Sequence, residues 1–300
     1  MIELVGLTKR YRSRTAVDDL TVVVEPGRVT GFLGPNGSGK TTTMRCVLGF
    51  TRPTAGTATV LGVPYAELDA PMRSVGALVD PRARHPGRTA HAHLVALAQS
   101  NALPRGRVDE VIDLVGLAEV ADQRVRGFSL GMGQRLGIAV ALLGDPEVLL
   151  FDEPVNGLDP DGIRWVRGLL RDLAAEGRTV LVSSHLMSEM QDTADHLVVL
   201  GRGRLLADVP MADLLGADAA VRVRSPRPAT LAGALQRAGA EVSAQPDGSL
   251  SVRRLGVEQV GDVAFAAGVP VHELSRTTTS LEAAYYALTG EDVEYRAGER

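Results

Sequence analysis

Residues 34–41, GPNGSGKT, carry the pattern in this chain that most directly indicates chemistry. In the arrangement G-x-x-x-x-G-K-[ST], glycines allow successive backbone N–H groups to point at phosphate oxygens, and the lysine ammonium reaches the terminal phosphates. Lys40 fills the lysine position, although Lys9 is the only other lysine among the 32 basic residues. The pattern predicts a phosphate-binding loop, with Thr41 as a Mg²⁺ ligand. The residues expected to hold the phosphates are Gly34, Pro35, Asn36, Gly37, Ser38, Gly39, Lys40, Thr41 and Thr42.

Two adjacent carboxylates follow an apolar run much further along the chain. Residues 148–151, VLLF, are apolar throughout, as is typical of a strand covered on both faces. Asp152 and Glu153 come directly after them. Because successive side chains of a strand point to opposite sides, the two carboxylates are expected to differ in role. We expect Asp152 to bind Mg²⁺ and Glu153 to act as the general base on a water molecule.

The segments around these motifs predict an α/β fold. RVTGFLG, residues 28–34, is suited to a buried strand, and TTTMRCVLGF, residues 41–50, has helical length. The glycine-rich loop would then join a strand to a helix whose N-terminus faces the phosphates. Between residues 89 and 143, apolar residues recur at helical spacing, which predicts a helical segment.

Composition limits the class of protein. The 300 residues are 45% hydrophobic and 23% charged, which is typical of a soluble globular protein with more than one domain. The net charge of -4, spread along the chain without a basic block, argues against nucleic acid as a partner. The N-terminus lacks a signal-peptide pattern, and no apolar run approaches the roughly 18 residues of a membrane span, so we expect a cytoplasmic protein. The single cysteine, Cys46, is expected to be buried and structural.

With these motifs in this order, the chain resembles the ATP-binding subunit of an ABC transporter over about residues 1–215. GPNGSGKTT is similar to the Walker A loop, VLLFDE to the Walker B strand, NGLD at 156–159 to the D-loop, and SSH ending at His185 to the switch histidine. FSLGM, residues 128–132, lies where the family has its signature sequence. The resemblance implies a P-loop NTPase core with an ABC helical subdomain at about 85–145, and hydrolysis of ATP with Mg²⁺.

The resemblance also implies partners. ABC nucleotide-binding domains work as head-to-tail dimers, so we expect a homodimer or heterodimer in which the signature sequence of one subunit closes over ATP on the other. The chain is expected to drive a separate transmembrane permease, for export, and to lie peripherally on the inner face of the cell membrane through that permease. The helical subdomain would transmit the movement to the permease.

Particular side chains take expected roles from the same resemblance. Tyr11 is expected to stack on adenine. Ser129 and Gly131 are expected to contact the ATP held by the partner subunit, and Asp159 to signal across the dimer interface. His185 is expected to contact the γ-phosphate and to hold the attacking water beside the general base.

The chain departs from the usual family pattern at two places. The common signature LSGGQ is FSLGM here, so Leu130 replaces a glycine and Met132 a glutamine, and Gln134 lies two positions beyond the signature glutamine. Asp80 occupies the position where the family carries the glutamine of its Q-loop. An aspartate can bind a metal-held water, but it cannot donate a hydrogen bond as an amide does. We therefore expect Asp80 at the Mg²⁺ site.

Composition and order change after residue 215, which predicts an accessory domain over 216–300. Segments follow in the order strand, helix, strand, strand, helix, strand, which is typical of a ferredoxin-like α+β domain. SLEAAYYALTG, residues 280–290, predicts one more helix. The domain resembles those of ABC-2 export subunits, and it could bind a regulatory ligand or pair the subunits.

Two other functions remain open from the sequence. A soluble ABC ATPase acting on ribosomes or DNA is disfavoured by the single P-loop and by the lack of a basic patch. A non-catalytic, nucleotide-dependent scaffold is disfavoured because Glu153 and His185 are both present.

Overall fold

The computed structural model describes residues 1–80, 82–216, 220–277, 281, 282 and 285. They fall into two compact units, within Met1–Met211 and within Ala212–Ala287. The helix predicted over residues 280–290, with its apolar face, lies largely outside the described residues. Among the helices of the described ranges, none is both long and apolar enough to cross a membrane.

The strands of the first unit form two sheets. They are β1 (Ile2–Tyr11), β2 (Arg14–Val24), β3 (Val29–Leu33), β4 (Ala55–Val60), β5 (Val75–Leu78), β6 (Val148–Asp152), β7 (Thr179–Ser184), β8 (His196–Gly201) and β9 (Arg204–Pro210). One sheet is antiparallel, in the order β2-β1-β4. The other has the order β5-β6-β7-β3-β8-β9, with every pair parallel except β8 with β9.

Helices cover and extend these sheets. They are α1 (Lys40–Val47), α2 (Pro71–Ser74), α3 (Ala90–Ser100), α4 (Gly106–Leu114), α5 (Leu130–Leu142), α6 (Pro160–Ala175) and α7 (Met187–Gln191). Short 3-10 turns lie at Tyr65–Glu67, Ala118–Val120 and Val125–Gly127. The helical segment predicted between residues 89 and 143 corresponds to α3, α4 and α5.

The order of the parallel strands brings three loops to one edge. β3 lies between β7 and β8, and β6 lies on the other side of β7. In register, Leu33 is opposite Ser184, and Asp152 is opposite Ser183. Because the strands are parallel, the segments that follow β3, β6 and β7 begin side by side at the carboxyl edge, where open α/β sheets bind their ligands.

A single core fixes the helix after the glycine-rich loop. Met44 and Val47 of α1 are buried with apolar residues of β1, β2, β3, β6, β7 and β8, so α1 packs on both sheets. Phe32 and Leu150, on β3 and β6, are 0% exposed in this core. The expectation for Cys46 is confirmed, because it is buried in the same cluster, and burial raises the pKa of its thiol.

The second unit has its own sheet and core. After α8 (Met211–Gly216), its elements are β10 (Ala220–Arg224), α9 (Pro228–Arg237), β11 (Glu241–Ala244), β12 (Leu250–Arg253), α10 (Val257–Ala266) and β13 (Glu273–Thr277). The sheet is antiparallel, in the order β11-β12-β10-β13. Val221 and Val223 pack against Leu231 and Leu235 of α9 and Val260 of α10. The elements follow one another in the predicted ferredoxin-like order.

A pair of glycine substitutions tests the packing of the parallel sheet. A Cβ at Gly76 in β5 would lie 2.0 Å from the carbonyl oxygen of Ala141 in α5 and 2.8 Å from Cγ of Pro146. Gly76→Ala should therefore lower the free energy of unfolding by about 2–3 kcal/mol, the cost of overpacking a filled core. Gly168→Ala, in α6, is the matched control, since nothing lies within 4 Å of its Cβ position.

The control should raise the free energy of unfolding by roughly 0.5–1 kcal/mol, because alanine loses less backbone entropy than glycine in a helix. Denaturant unfolding followed by circular dichroism measures both changes. A Gly76→Ala protein as stable as the parent would contradict the tight approach of α5 to β5.

Candidate functional site

The glycine-rich loop, residues 34–39, has a conformation that side chains would prevent. A Cβ at Gly34 would lie 2.4 Å from the carbonyl oxygen of Leu200. Gly39 has a φ of 108°, and a Cβ there would lie 2.7 Å from the carbonyl oxygen of Ala16. Because both contacts would be with backbone carbonyl oxygens, no flexible side chain could move to relieve them. The two glycines are therefore required by the path of the loop between β3 and α1.

Polar groups of this loop are arranged as a receptor for phosphate. The first N–H groups of a helix have no acceptor within the helix, and α1, which begins at Lys40, has no side-chain cap to supply one. The hydroxyl of Ser38 is buried and has no hydrogen-bond partner within the described residues. The Lys40 ammonium donates to the carbonyl oxygen of Pro35 at 3.2 Å and to that of Gly34. These donors fit a bound phosphate chain.

Lys40 is buried between this loop and two carboxylates. Lys40 is only 6% exposed to solvent. Burial lowers the pKa of the ammonium, while the carboxylates of Glu153 and Asp152 act in the opposite direction. The positive charge of Lys40 thus lies beside the carboxylates of Glu153 and Asp152, where a bound phosphate would bring further negative charge.

The carboxylate of Asp152 is held by two hydroxyls. Thr41 Oγ1 donates to Asp152 Oδ2 at 2.6 Å, and Ser183 Oγ donates to Asp152 Oδ1. Asp152 is 9% exposed, and Ser183 is fully buried. Hydroxyl and carboxylate oxygens are the ligands that Mg²⁺ prefers, so Thr41 and Asp152 fit a magnesium ion beside the loop.

Glu153 is held through its backbone as well as its side chain. It has a φ of 52°, in the left-handed region that residues with a Cβ seldom adopt. Its N–H donates to the carbonyl oxygen and the hydroxyl of Ser183, at 3.2 and 3.1 Å. Its carbonyl oxygen accepts a hydrogen bond from Gln134 Nε2 at 2.9 Å. Its carboxylate Oε2 lies 2.9 Å from His185 Nδ1, which makes a carboxylate–imidazole pair able to bind water.

A cleft of 340 Å³ joins these groups to Tyr11. It is lined by Tyr11 and Arg14, by residues of the glycine-rich loop and the start of α1, and by Asp152 and Glu153. Tyr11 is 45% exposed, and Lys9 Nζ lies 4.9 Å from the centre of its ring. Lys9 Nζ also donates to the carbonyl oxygen of Arg52 at 2.7 Å, which fixes the ammonium beside the ring.

Asp80, Ser129, Gly131 and Asp159 were predicted as site residues but do not line this cleft. Asp80 lines a second cleft, of 520 Å³, which Tyr11 also lines, and its Oδ1 accepts from the Arg82 N–H at 2.8 Å. Ser129 caps α5 by accepting from the Met132 N–H at 3.2 Å, and Asp159 caps α6 by accepting from the Gly162 N–H at 2.9 Å. The fourth is Gly131, in the first turn of α5. The roles expected for these four residues remain predictions.

Ser183 and Gln134 were not predicted as site residues. Ser183 is the second-last residue of the buried strand TVLVSS, and a pair of serines at the end of a buried strand was the available signal. Gln134 is 1% exposed within α5, but its position in the sequence alone does not indicate that it reaches Glu153. Both contacts join distant segments of the chain.

Comparison with known proteins gives consistent matches. Residues 17–156 match the ABC transporter family, and residues 219–282 match a domain of unknown function. The chain is 41% identical over 209 residues to YhcH of Bacillus subtilis (strain 168), an uncharacterized ABC transporter ATP-binding protein, over 69% of this chain and 68% of that protein. It is also 41% identical over 213 residues to the bacitracin transport ATP-binding protein BcrA of Bacillus licheniformis, over 70% of each.

A solved structure supports the same conclusion on the fold. The structure of an ATP binding subunit of an ABC transporter matches with a TM-score of 0.66 and 26% identity, over 72% of this chain and 92% of that chain. The predicted P-loop NTPase fold is confirmed.

Ser183→Ala tests whether the Ser183 hydroxyl positions Asp152 and Glu153. The variant removes a hydroxyl that donates to Asp152 and accepts from the Glu153 N–H. We expect the rate of ATP hydrolysis to fall by a factor on the order of 10, since losing one buried hydrogen-bond partner costs about 1–3 kcal/mol. The free energy of unfolding should fall by about 1–2 kcal/mol.

Ser225→Ala is the matched control in the second unit. Ser225 is also buried, donates to the carbonyl oxygen of Pro270 at 2.8 Å and accepts from the Arg227 N–H at 3.1 Å. It should lose similar stability without loss of hydrolysis rate. Equal rate losses in both variants, measured by phosphate release, would contradict the role given to Ser183.

Proposed function

The chain belongs to the ATP-binding proteins of ABC transporters, and on that premise we propose that it is the ATP-hydrolysing subunit that drives a separate membrane permease, in the direction of export. The observation that carries the catalytic part is the pair of carboxylates beside the glycine-rich loop. Asp152 is held by the Thr41 and Ser183 hydroxyls, and Glu153 is paired with His185 at 2.9 Å.

Each of these groups is given a separate role in ATP hydrolysis. Lys40 and the N-terminus of α1 bind and orient the phosphates. Thr41 and Asp152 would hold magnesium, which would neutralise negative charge on the phosphates. Glu153 accepts a proton from the water that attacks the γ-phosphorus, and His185 holds that water and Glu153 in position. The bond to the γ-phosphate breaks, and ADP and phosphate leave.

Tyr11 and Asp80 are proposed to take part in nucleotide binding as well. Tyr11 lines the cleft with an exposed ring, which supports stacking on adenine. Asp80 remains proposed as a ligand of a metal-held water. Its hydrogen bond to the Arg82 N–H would have to be shared or broken for that role.

A second subunit, identical or closely related, completes the site. Ser129 and Gly131 begin α5, and they do not line the cleft that holds Lys40 and Glu153 in the described residues. This arrangement supports their use against ATP bound to a partner, with Asp159 at the interface. The positive end of α5 then faces the partner's γ-phosphate.

The relatives support transport as the process that is driven. BcrA of Bacillus licheniformis is named a bacitracin transport ATP-binding protein. By similarity, this chain works at the inner face of the cell membrane, bound to a permease that is a separate polypeptide. The second unit is proposed to pair the subunits or to bind a regulatory ligand. Co-purification of the chain from membranes with a membrane protein would support this function, and recovery only with ribosomes would contradict it.

Glu153→Gln tests the assignment of the base. The amide keeps the size of the side chain but cannot accept the proton of water at neutral pH. We expect ATP hydrolysis to slow by a factor on the order of 10² or more, and the ATP-bound dimer to accumulate. Phosphate release and size-exclusion chromatography with ATP measure these effects. Normal turnover in this variant would reject Glu153 as the base.

Mixed subunits test the role of Ser129 in the partner's site. Subunits with Lys40→Ala lack a working phosphate loop, and subunits with Ser129→Arg lack a working signature sequence. A heterodimer of the two keeps one site in which both halves are intact. The mixture should therefore hydrolyse ATP faster than either variant alone. If mixing restores no activity, Ser129 does not act on the partner's nucleotide.

A further inference from the structure

The first two turns of α5 touch the catalytic loops of their own chain. Gln134 Nε2 donates to the Glu153 carbonyl oxygen at 2.9 Å. Leu130 packs on the D-loop, residues 156–159, where a Cβ at Gly157 would lie 2.3 Å from Leu130 Cδ2. Arg135 lies 4.6 Å from the ring centre of Trp165 on α6. One helix thus contacts both the candidate base and the loop that follows it.

The burial of Gln134 is expensive unless its amide has a purpose. The residue is 1% exposed, and its Oε1 has no hydrogen-bond partner within the described part of the chain. A buried acceptor without a partner destabilises the fold. An apolar side chain of the same size would avoid that cost, but it would remove the shorter of the two hydrogen bonds to the Glu153 carbonyl and leave only that from the Asn156 N–H at 3.2 Å. The donating end of the amide is therefore the part of Gln134 that matters.

The backbone of Glu153 is fixed at both ends. Its N–H is held by Ser183 and its carbonyl by Gln134 and the Asn156 N–H, while its φ of 52° lies in a region unfavourable to glutamate. The direction of the carboxylate follows from this backbone conformation, since the side chain leaves the chain between the two fixed peptide groups. Without the Gln134 donor, the peptide after Glu153 is held only by the Asn156 N–H within the described residues, and we expect the carboxylate to shift away from His185.

We propose that Gln134 is a positioning residue that holds the backbone of Glu153, and so ties the base of one site to the helix that carries Ser129. The positioning of Glu153 stands on contacts within one chain. The tie between the two sites of a dimer rests on the proposed function, in which Ser129 meets the partner's nucleotide.

Gln134→Leu removes the donor while keeping the size of the side chain. We expect kcat for ATP hydrolysis to fall by a factor on the order of 10 or more, because a misplaced catalytic group loses rate steeply with distance. KM for ATP should change by less than about threefold, since the phosphate-binding groups are untouched. Gln99→Leu, an exposed position on α3, is the control and should retain the parent kcat.

A double variant separates positioning from general damage. In a Glu153→Gln background, Gln134→Leu should cause no further loss of single-turnover hydrolysis, because the base that it positions is already absent. An equal fractional loss in both backgrounds would overturn the proposal, since Gln134 would then act on something other than Glu153. An unchanged kcat in the single variant would overturn it as well.

The mixed dimer shows which chain Gln134 serves. In the mixture of Lys40→Ala and Ser129→Arg subunits, the working site uses Glu153 of the Ser129→Arg subunit. Gln134→Leu should lower turnover when it is placed on that subunit, and much less when it is placed on the Lys40→Ala subunit. The reverse result would overturn the proposal. Failure of the starting mixture to hydrolyse ATP would instead count against the proposed role of Ser129, and the single-chain kcat result would still decide the role of Gln134.

Discussion

The rest of the site depends on the two hydrogen bonds that the Asp152 carboxylate accepts from hydroxyl groups. Thr41 reaches Asp152 from the start of α1, and Ser183 reaches it from the neighbouring strand β7. These two hydrogen bonds join the start of α1, the end of β6 and the end of β7, which are far apart in sequence. The Ser183 hydroxyl also accepts a hydrogen bond from the Glu153 N–H, so one hydroxyl contacts both the proposed magnesium ligand and the proposed base. The parallel register of β6 and β7 makes this possible.

Burial in this region favours function over stability. Ser38 keeps a hydroxyl without a partner in the described residues, and Lys40 is an ammonium group largely removed from water. Each arrangement costs free energy in the folded chain, and a bound phosphate would recover much of it. Glu153 adds a backbone conformation that is unfavourable on its own. Three such costs at one edge of a well-packed sheet are typical of a site prepared for a charged ligand.

Local sequence predicts the motifs, and tertiary contacts decide the rest. The loop at 34–41 and the pair Asp152–Glu153 could be predicted because residue type and neighbouring strand pattern suffice for them. The role of Ser183 depends on strand order, since the serine lies next to Asp152 only when β6 and β7 pair. Gln134 depends on where α5 docks. Asp80 was expected at the Mg²⁺ site, and its hydrogen bond to the Arg82 N–H follows from a turn that the sequence pattern did not reveal.

The contact between Leu130 and Gly157 limits how this protein can be altered. Leucine at the signature position fills space that is open only because the D-loop has a glycine there, with a φ of 77°. A chimera that received the common LSGGQ sequence alone would gain a gap beside Gly157. One that received a D-loop with a larger residue would force Leu130 out of place. The two motifs are therefore a matched set, and transfer between transporters would require that both be exchanged together.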